Sequence, residues 1–468
     1  MQDKKEGLSW SPSLRDKDGP KYLAIAQALA ADIQAGRLAP GDQLPPQRAL
    51  AKDLGVDLTT VTRAFNEARR QGLVEGTTKR GSFVRQPSKE RYLEAQLDAS
   101  PVIDLSMNMP PQPADGQLRE RIRDGLDEVL RSPFGLLQLH YQDSAGAAAD
   151  RAAGVVYLKD RLEGLTANRL VVTAGSQCAL FAILSSALVR GDALAAGAVT
   201  YPGVRSVAGK CGLRLVGVAL DELGIIPASL EEVCAREKPT ALYVVPTIDN
   251  PTTATLPLSR REELVVIARR HGLFIIEDDA YGALPAQAPP PLAVLAPDLT
   301  WHIATLSKCA TPALRVAYVV APNVTGAFRI AGDIRATSLM APSLMTSLAT
   351  RWIQNGTLSS ITAAIRRESA ARQLIAAQVL RQFRFAADPA GHHLWLSLPQ
   401  GWTQNDLGAD ARKVGLSVVA SDAFAVLEIP DAVRISLGAA PSREALERGL
   451  GVLAAVLSGS PRAIPGIV

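Results

Sequence analysis

Lys308 lies two residues past an apolar run, Trp301 to Leu306, in the stretch Thr305-Leu306-Ser307-Lys308-Cys309-Ala310-Thr311-Pro312-Ala313-Leu314-Arg315. The run predicts a buried strand, so the lysine falls at a strand's carboxyl end, where open α/β sheets place their ligands. A lysine held there and partly desolvated can lose its proton and attack an aldehyde, forming a Schiff base. Further along, Arg315 offers a fixed fork of donors suited to a phosphate. Other polar groups also end or interrupt apolar runs. Glu277-Asp278-Asp279-Ala280-Tyr281 closes one such run, and a buried carboxylate there can keep a ring nitrogen protonated. Asn250-Pro251-Thr252 follows another. Arg434, inside Val433-Arg434-Ile435-Ser436-Leu437, predicts a half-buried cation that needs an anion such as a carboxylate. Thr173-Ala174-Gly175-Ser176-Gln177 joins a strand to a helix, and the N–H groups of a first helical turn suit a phosphate. Each motif has a plainer reading by itself: a solvated lysine, a capping acid, an Asn-Pro turn. It is their joint occurrence that points to chemistry.

These groups need a scaffold, and the chain is long enough to supply one. Its 468 residues exceed what one core organises, roughly 250–300 residues, and predict more than one domain. With 47% hydrophobic and 21% charged residues the composition is that of globular proteins. The first residues contain no apolar signal segment, and no apolar run reaches the roughly 18 residues of a membrane span, so a cytoplasmic chain is expected. Cys178, Cys211, Cys234 and Cys309 lie far apart with no metal-ligand spacing, which predicts reduced thiols and no metal site. Charge is uneven. Residues 1–87 hold 14 lysines and arginines against 10 acids, while the whole chain holds 50 and 46. The entire positive excess therefore sits at the start, which suggests an anionic partner for that region.

In chain order, residues 1–19 read as a polar tail and residues 20–86 as three short helices and a basic hairpin. Tyr22, Ile25, Leu29 and Ile33 repeat at helical spacing; Pro45 and Pro46 open a second helix with Ala49, Leu50 and Leu54 inward. The third begins near Thr59 with Val61, Ala64, Phe65 and Ala68 on one face. Its other face carries Thr60, Thr62, Arg63, Asn66 and Arg70, side chains that read base edges or hold phosphates. The hairpin tip, Lys79-Arg80-Gly81, suits a minor groove. The set Gly36, Leu38, Pro40-Gly41, Leu44-Pro45, Arg48, Leu50-Ala51, Leu54-Gly55-Val56, Thr60-Val61, Ala64, Gly72-Leu73-Val74, Gly81 and Phe83-Val84 resembles the GntR-type winged helix-turn-helix domain. That resemblance implies double-stranded DNA contacts by Arg48, Thr59, Thr60, Arg63, Lys79, Arg80 and Gly81. Pro46 stands where the family usually has a serine that can cap the helix.

Residues 87–101 are polar and bracketed by prolines, and read as a linker. Residues 102–468 form the body. Strands are predicted at 170–174, 193–199, 213–219, 241–246, 273–278, 301–306 and 316–321, with helices at 176–189, 228–237 and 259–270. The alternation predicts βαβ units and a mainly parallel sheet, followed beyond residue 344 by two helices and a smaller α/β segment.

Taken together and in this order, the body's motifs resemble a class I aminotransferase domain, the fold-type I pyridoxal-phosphate (PLP) enzymes. The resemblance implies that Lys308 forms the Schiff base and Asp278 pairs with the pyridinium nitrogen. Asn250 and Tyr281 would contact the phenolic oxygen, with Tyr201 against the ring. Gly175, Ser176, Gln177, Ser307 and Arg315 would surround the phosphate, and Tyr141 would reach the phosphate of a second subunit. Arg434 would bind an effector or substrate carboxylate. Thr253 and Ala317 depart from glycines usual in the family and add bulk near the site. A GntR-type reader ahead of such a body is the arrangement of the MocR regulators. The expectation is a homodimeric PLP-dependent transcriptional regulator that senses PLP, or an amine or amino acid, through an aldimine at Lys308, with vitamin B6 metabolism as its field. The alternative is a working aminotransferase whose helical module is an accessory; a third reading is a degenerate body used only for dimerisation.

Overall fold

The structure is a computed structural model that describes residues 10–12, 20–34, 37–38, 42–70, 73–77, 81–84, 103–132 and 140–459. The chain divides into two compact units, Met1–Pro101 and Val102–Val468.

The first unit is a winged helix. It contains helices α1 (Lys21–Gln34), α2 (Gln47–Asp53) and α3 (Leu58–Arg70), then an antiparallel hairpin of β1 (Val74–Thr77) and β2 (Gly81–Val84). Ile25 and Leu29 of α1, Leu50 and Ala51 of α2, and Val61, Ala64 and Phe65 of α3 close one apolar core. Ala51, not Ala49, is the buried alanine of α2, because the helix begins at Gln47, two residues after Pro45. Pro46 occupies the N-cap and makes no side-chain cap, as the missing serine predicts. Asp57 starts α3: its carboxylate accepts from the Thr59 amide at 2.8 Å and from the Thr59 hydroxyl at 2.6 Å. Trp10 also joins the core, its indole N–H donating to Asp32 Oδ2 at 2.7 Å.

The second unit is built on a seven-stranded sheet. After the short β3 (Ile103–Asp104) its strands are β4 (Leu170–Thr173), β5 (Ala193–Gly197) and β6 (Arg214–Val218). A small hairpin, β7 (Leu220–Asp221) and β8 (Gly224–Ile225), precedes β9 (Ala241–Val244), β10 (Phe274–Asp278), β11 (Thr300–Thr305) and β12 (Ala317–Val320). The order is β4-β12-β11-β10-β9-β5-β6. All neighbours are parallel except β12, which is antiparallel to both β4 and β11. Both faces are covered. In β10, Ile275 belongs to one apolar cluster and Ile276 to the other; in β9, Leu242 and Tyr243 divide the same way. This is why the strands read as continuous apolar runs.

A four-stranded antiparallel sheet, β13 (Phe385–Ala387), β14 (His393–Ser397), β16 (Val419–Ala420) and β17 (Ala432–Ser436), forms a smaller layer with its own core. There β15 (Leu416–Ser417) pairs with β3, so residues 103–104 are part of this layer. The chain then runs on as Leu105–Met109, pressed against the end of β17. A side chain at Gly438 would bring its Cβ to 1.8 Å from the Met109 carbonyl oxygen, so only glycine fits.

Candidate functional site

The parallel strands deliver their polar ends to one side of the sheet. Asp278 is the last residue of β10, Lys308 follows β11 by three residues, Tyr201 and Asn250 follow β5 and β9, and Ser176 opens the helix after β4. Arg434 comes from β17 of the smaller layer. Tyr201, Asp278, Lys308 and Arg434 are linked electrostatically. Tyr201 feels Asp278, Arg315 and Arg434, and Lys308 feels Arg434 and Asp278.

Lys308 donates from Nζ to the Asn108 backbone carbonyl, and its ammonium lies 5.9 Å from the Tyr281 ring centre. Burial, reinforced by the nearby Arg434 charge, pushes the amine down from 10.5 to about 8; Asp278 opposes this. Asp278 is 4% exposed, and burial raises its carboxyl from 3.8 to about 6. Its Oδ2 accepts from the Tyr243 hydroxyl at 2.9 Å, while its buried Oδ1 has no partner among the described residues. A buried acceptor left open costs about 1–3 kcal/mol, so an N–H donor is called for there.

At the other end of the cluster, Arg315 adopts φ +50° and donates to the Ala174 carbonyl at 2.9 Å. A Cβ on Gly175, itself at φ +86°, would sit 3.1 Å from the guanidinium carbon. Glycine therefore keeps open a cradle between Arg315 and the first turn of the helix Ser176–Ala187. Tyr201 donates to Gln177 Oε1 at 3.3 Å, and the Thr305 hydroxyl donates to Ser307 Oγ at 3.0 Å.

Arg434 is buried rather than half-buried, at 7% exposure. It donates to Asn250 Oδ1 at 2.9 Å and to the Ser106 carbonyl at 2.6 Å, and lies 5.1 Å from the Phe424 ring centre. All these partners are neutral, and Nε has no partner among the described residues. Among the described residues no anion pairs with this guanidinium. Tyr141, 83% exposed, does not join the cluster within one chain.

Several members of the site carry no signal in the sequence. Asn108 donates from Nδ2 to the Tyr281 hydroxyl at 2.7 Å and lies 3.4 Å from His393 Nδ1. His393 in turn donates from Nε2 to the Asp249 carbonyl at 3.0 Å, and His392 Nε2 donates to the Lys308 carbonyl at 2.8 Å. Burial pushes His392 down to about 3, so both backbone-bonded rings are neutral and fix their neighbours as plain hydrogen-bond donors. A His-His pair beside a strand and an Asn before prolines look like ordinary core and loop residues until the chain is folded.

The loop holding Asn250 is strained. Ile248 and Thr253, both β-branched, adopt φ +52° and +66°. Such residues occupy the left-handed region at a cost of roughly 1–2 kcal/mol each. The Thr253 amide is tied to the Asp249 carbonyl at 2.8 Å, which any residue can do. Thr253→Gly should therefore stabilise the chain by about 1 kcal/mol, read as a higher urea midpoint at unchanged slope. A lower midpoint would show that the buried Thr253 side chain matters more than its backbone.

On the first unit, Arg48, Thr59 and Arg63 are exposed and Thr60 is half-buried. The Arg63 guanidinium lies 4.9 Å from the Tyr22 ring centre, and Thr62 donates to Gln47 Oε1 at 2.9 Å. Gly81 pairs with Thr77 at φ +95°. Lys79 and Arg80 lie outside the described residues.

Residues 100–453 match the family described as aminotransferase class I and II, and residues 21–84 match the bacterial regulatory proteins of the gntR family. The chain is 28% identical to an uncharacterized HTH-type transcriptional regulator, YdeF of Bacillus subtilis, over 96% of this chain and 97% of that one. It is 29% identical to the HTH-type pyridoxine biosynthesis transcriptional regulator PdxR of Corynebacterium glutamicum, over 62% and 64% of the two chains. Among solved structures it is similar to the α-aminoadipate aminotransferase LysN of Thermus thermophilus, complexed with N-(5'-phosphopyridoxyl)-L-leucine. The TM-score is 0.70 at 25% identity, covering 80% of this chain and 95% of that one.

Proposed function

The chain belongs to the aminotransferase class I and II family, with a gntR-family domain ahead of it in the arrangement of the MocR regulators, and from that premise we propose that it is a PLP-dependent transcriptional regulator. The reading is carried by one observation: a gntR-type winged helix shares its chain with a buried Asp278 oxygen that lacks a donor, coupled to a desolvated Lys308. PLP brings an aldehyde and a pyridine ring that withdraws electrons when protonated. The residues present fit it. Lys308 has a lowered proton affinity and so can supply a neutral amine. Asp278 Oδ1 is free to accept from the ring nitrogen, and the Gly175–Arg315 cradle suits a phosphate. Tyr281 and Asn250 would hold the phenolic oxygen, with Tyr201 near the ring. Ser176, Gln177 and Ser307 would complete the phosphate cradle.

Arg434, a buried cation with only neutral partners, supports an effector bearing a carboxylate, such as an amino acid. The exposed Tyr141 supports a homodimer in which it reaches the second subunit's phosphate site. The name of the corynebacterial relative makes vitamin B6 supply the first place to look for targets. Arg48, Thr59, Thr60 and Arg63 would face an operator, together with Lys79, Arg80 and Gly81.

The test is operator titration at fixed salt with the chain's own upstream DNA, for the apo, PLP-loaded and amino-acid-loaded protein. If ligand changes operator affinity, operator must change ligand affinity by the same factor, about 5–150-fold for typical coupling. Identical operator affinities in all three states would rule out the sensor. Arg63→Ala should weaken specific binding by about 1–3 kcal/mol if Arg63 leaves Tyr22 for a base edge. An unchanged ratio of specific to non-specific binding would remove Arg63 from the readers.

The intact Lys308, Asp278 and Arg434 also favour a second reading, a working aminotransferase. Product formation from amino-acid and keto-acid pairs, without any DNA shift, would select it.

A further inference from the structure

A second cavity, of about 560 Å³, opens between the helix Ala148–Leu158, the loop after Tyr281 and the start of the helix Thr357–Val379. Arg161, Gln287, Thr362 and Arg366 are on its lining. Two guanidinium groups there are incompletely matched. Arg161 pairs with Asp279 Oδ2 at 2.6 Å and donates to the Pro289 carbonyl at 3.0 Å, yet its Nε is buried without a partner among the described residues. Arg366 donates to the Ala283 carbonyl. Its Nε is also buried and unpartnered, and no carboxylate forms an ion pair with it among the described residues. Among the described residues Asp160 is the one acid on the lining, and it is exposed to solvent, where water screens it. The cavity therefore presents one uncompensated positive charge, beside a second guanidinium group, in a partly enclosed, polar space. An anion with two acceptor oxygens answers that charge and suits the planar fork of a guanidinium.

We propose that this cavity is a second ligand site, separate from the strand-end cluster, that takes a small carboxylate or phosphate anion on Arg366 and Arg161. Its wall is continuous with the first site. The Thr362 hydroxyl donates to the carbonyl of Cys309, the residue after Lys308, at 2.9 Å. Arg161 holds Asp279, the residue after Asp278. An anion that draws Arg161 toward the cavity weakens its grip on Asp279, so occupancy is transmitted to both flanks of the cofactor cluster. Binding itself does not depend on the PLP reading; only this coupling does.

The experiment is calorimetric titration of the full chain with inorganic phosphate and, separately, with succinate, which distinguishes the two kinds of anion. PLP is saturating in one series, so that the Arg315 cradle is filled. An Arg315→Gln chain without PLP serves in the other, which keeps the result readable even if the chain binds no PLP. At least one anion should bind once per chain in both series. Arg366→Gln should weaken it at least tenfold. Ser359→Asp, on the exposed rim, should weaken it several-fold without removing any internal contact. Unchanged far-UV circular dichroism checks that both variants fold. The proposal fails if neither anion binds, if both variants titrate like the wild type, or if binding is lost in Arg315→Gln and kept in Arg366→Gln.

Discussion

Lys308→Ala should carry no covalently fixed cofactor after borohydride treatment, whereas the wild-type chain should gain one phosphopyridoxyl mass on the peptide containing Lys308. The effect is all or none, because borohydride fixes only a cofactor already joined to an amine. Retention of the label in the variant would place the attachment on another lysine. The pH dependence carries more physics. Capture needs the neutral amine, and burial lowers Lys308 to about 8. Below pH 8 the capture rate should rise about tenfold per unit and then level off, whereas a solvated lysine would keep gaining until about pH 10.4. Because the folded amine releases its proton earlier than the unfolded one, the same shift makes the apo chain gain stability between about pH 8 and 10. A capture rate still climbing steeply at pH 9.5 would show that the amine is not desolvated before the cofactor arrives.

Asp278→Asn should move two quantities in opposite directions. Removing one partner of a buried charge pair costs about 3–5 kcal/mol, so PLP affinity should fall by roughly two to four orders of magnitude. The apo chain should become more stable. In the wild type the folded carboxyl holds its proton up to about pH 6 and the unfolded one only to 3.8. Stability is therefore lost as pH rises between these values, and the loss stays complete at neutral pH. A shift of about two units corresponds to a penalty on the order of 3 kcal/mol, which the amide does not suffer. Spectroscopic titration of PLP and urea melts of the apo protein at pH 7 measure the two effects. A residue that merely supports the fold would lose affinity and stability together, and that result would end the case for Asp278 as the ring-nitrogen partner.

The residues most readable from the sequence are those that violate an apolar run. Asp278 ends one, Arg434 interrupts another, and Lys308 follows a third, so periodicity alone brings each to notice. The sheet was legible for the same reason, since strands buried on both faces are apolar throughout. What periodicity hides is direction and distance. Nothing in Val316 to Ala321 says that β12 runs against its neighbours. Nor does an apolar strand containing Tyr243 announce that its hydroxyl serves Asp278. Asn108 is separated by 173 residues from Tyr281 and by 285 from His393, and only the fold brings them together. The departure at Thr253 was visible as lost glycine, but its consequence is backbone strain at φ +66° as well as added bulk.

The run Ser106-Met107-Asn108 gives its carbonyls to Arg434, Ser436 and Lys308 in succession. These residues lie just after Pro101, where the first unit ends in sequence. A compound that engages the Lys308 amine takes that donor away from the run. The chain's own backbone is thus a competitor that every amine-directed ligand has to displace from Lys308.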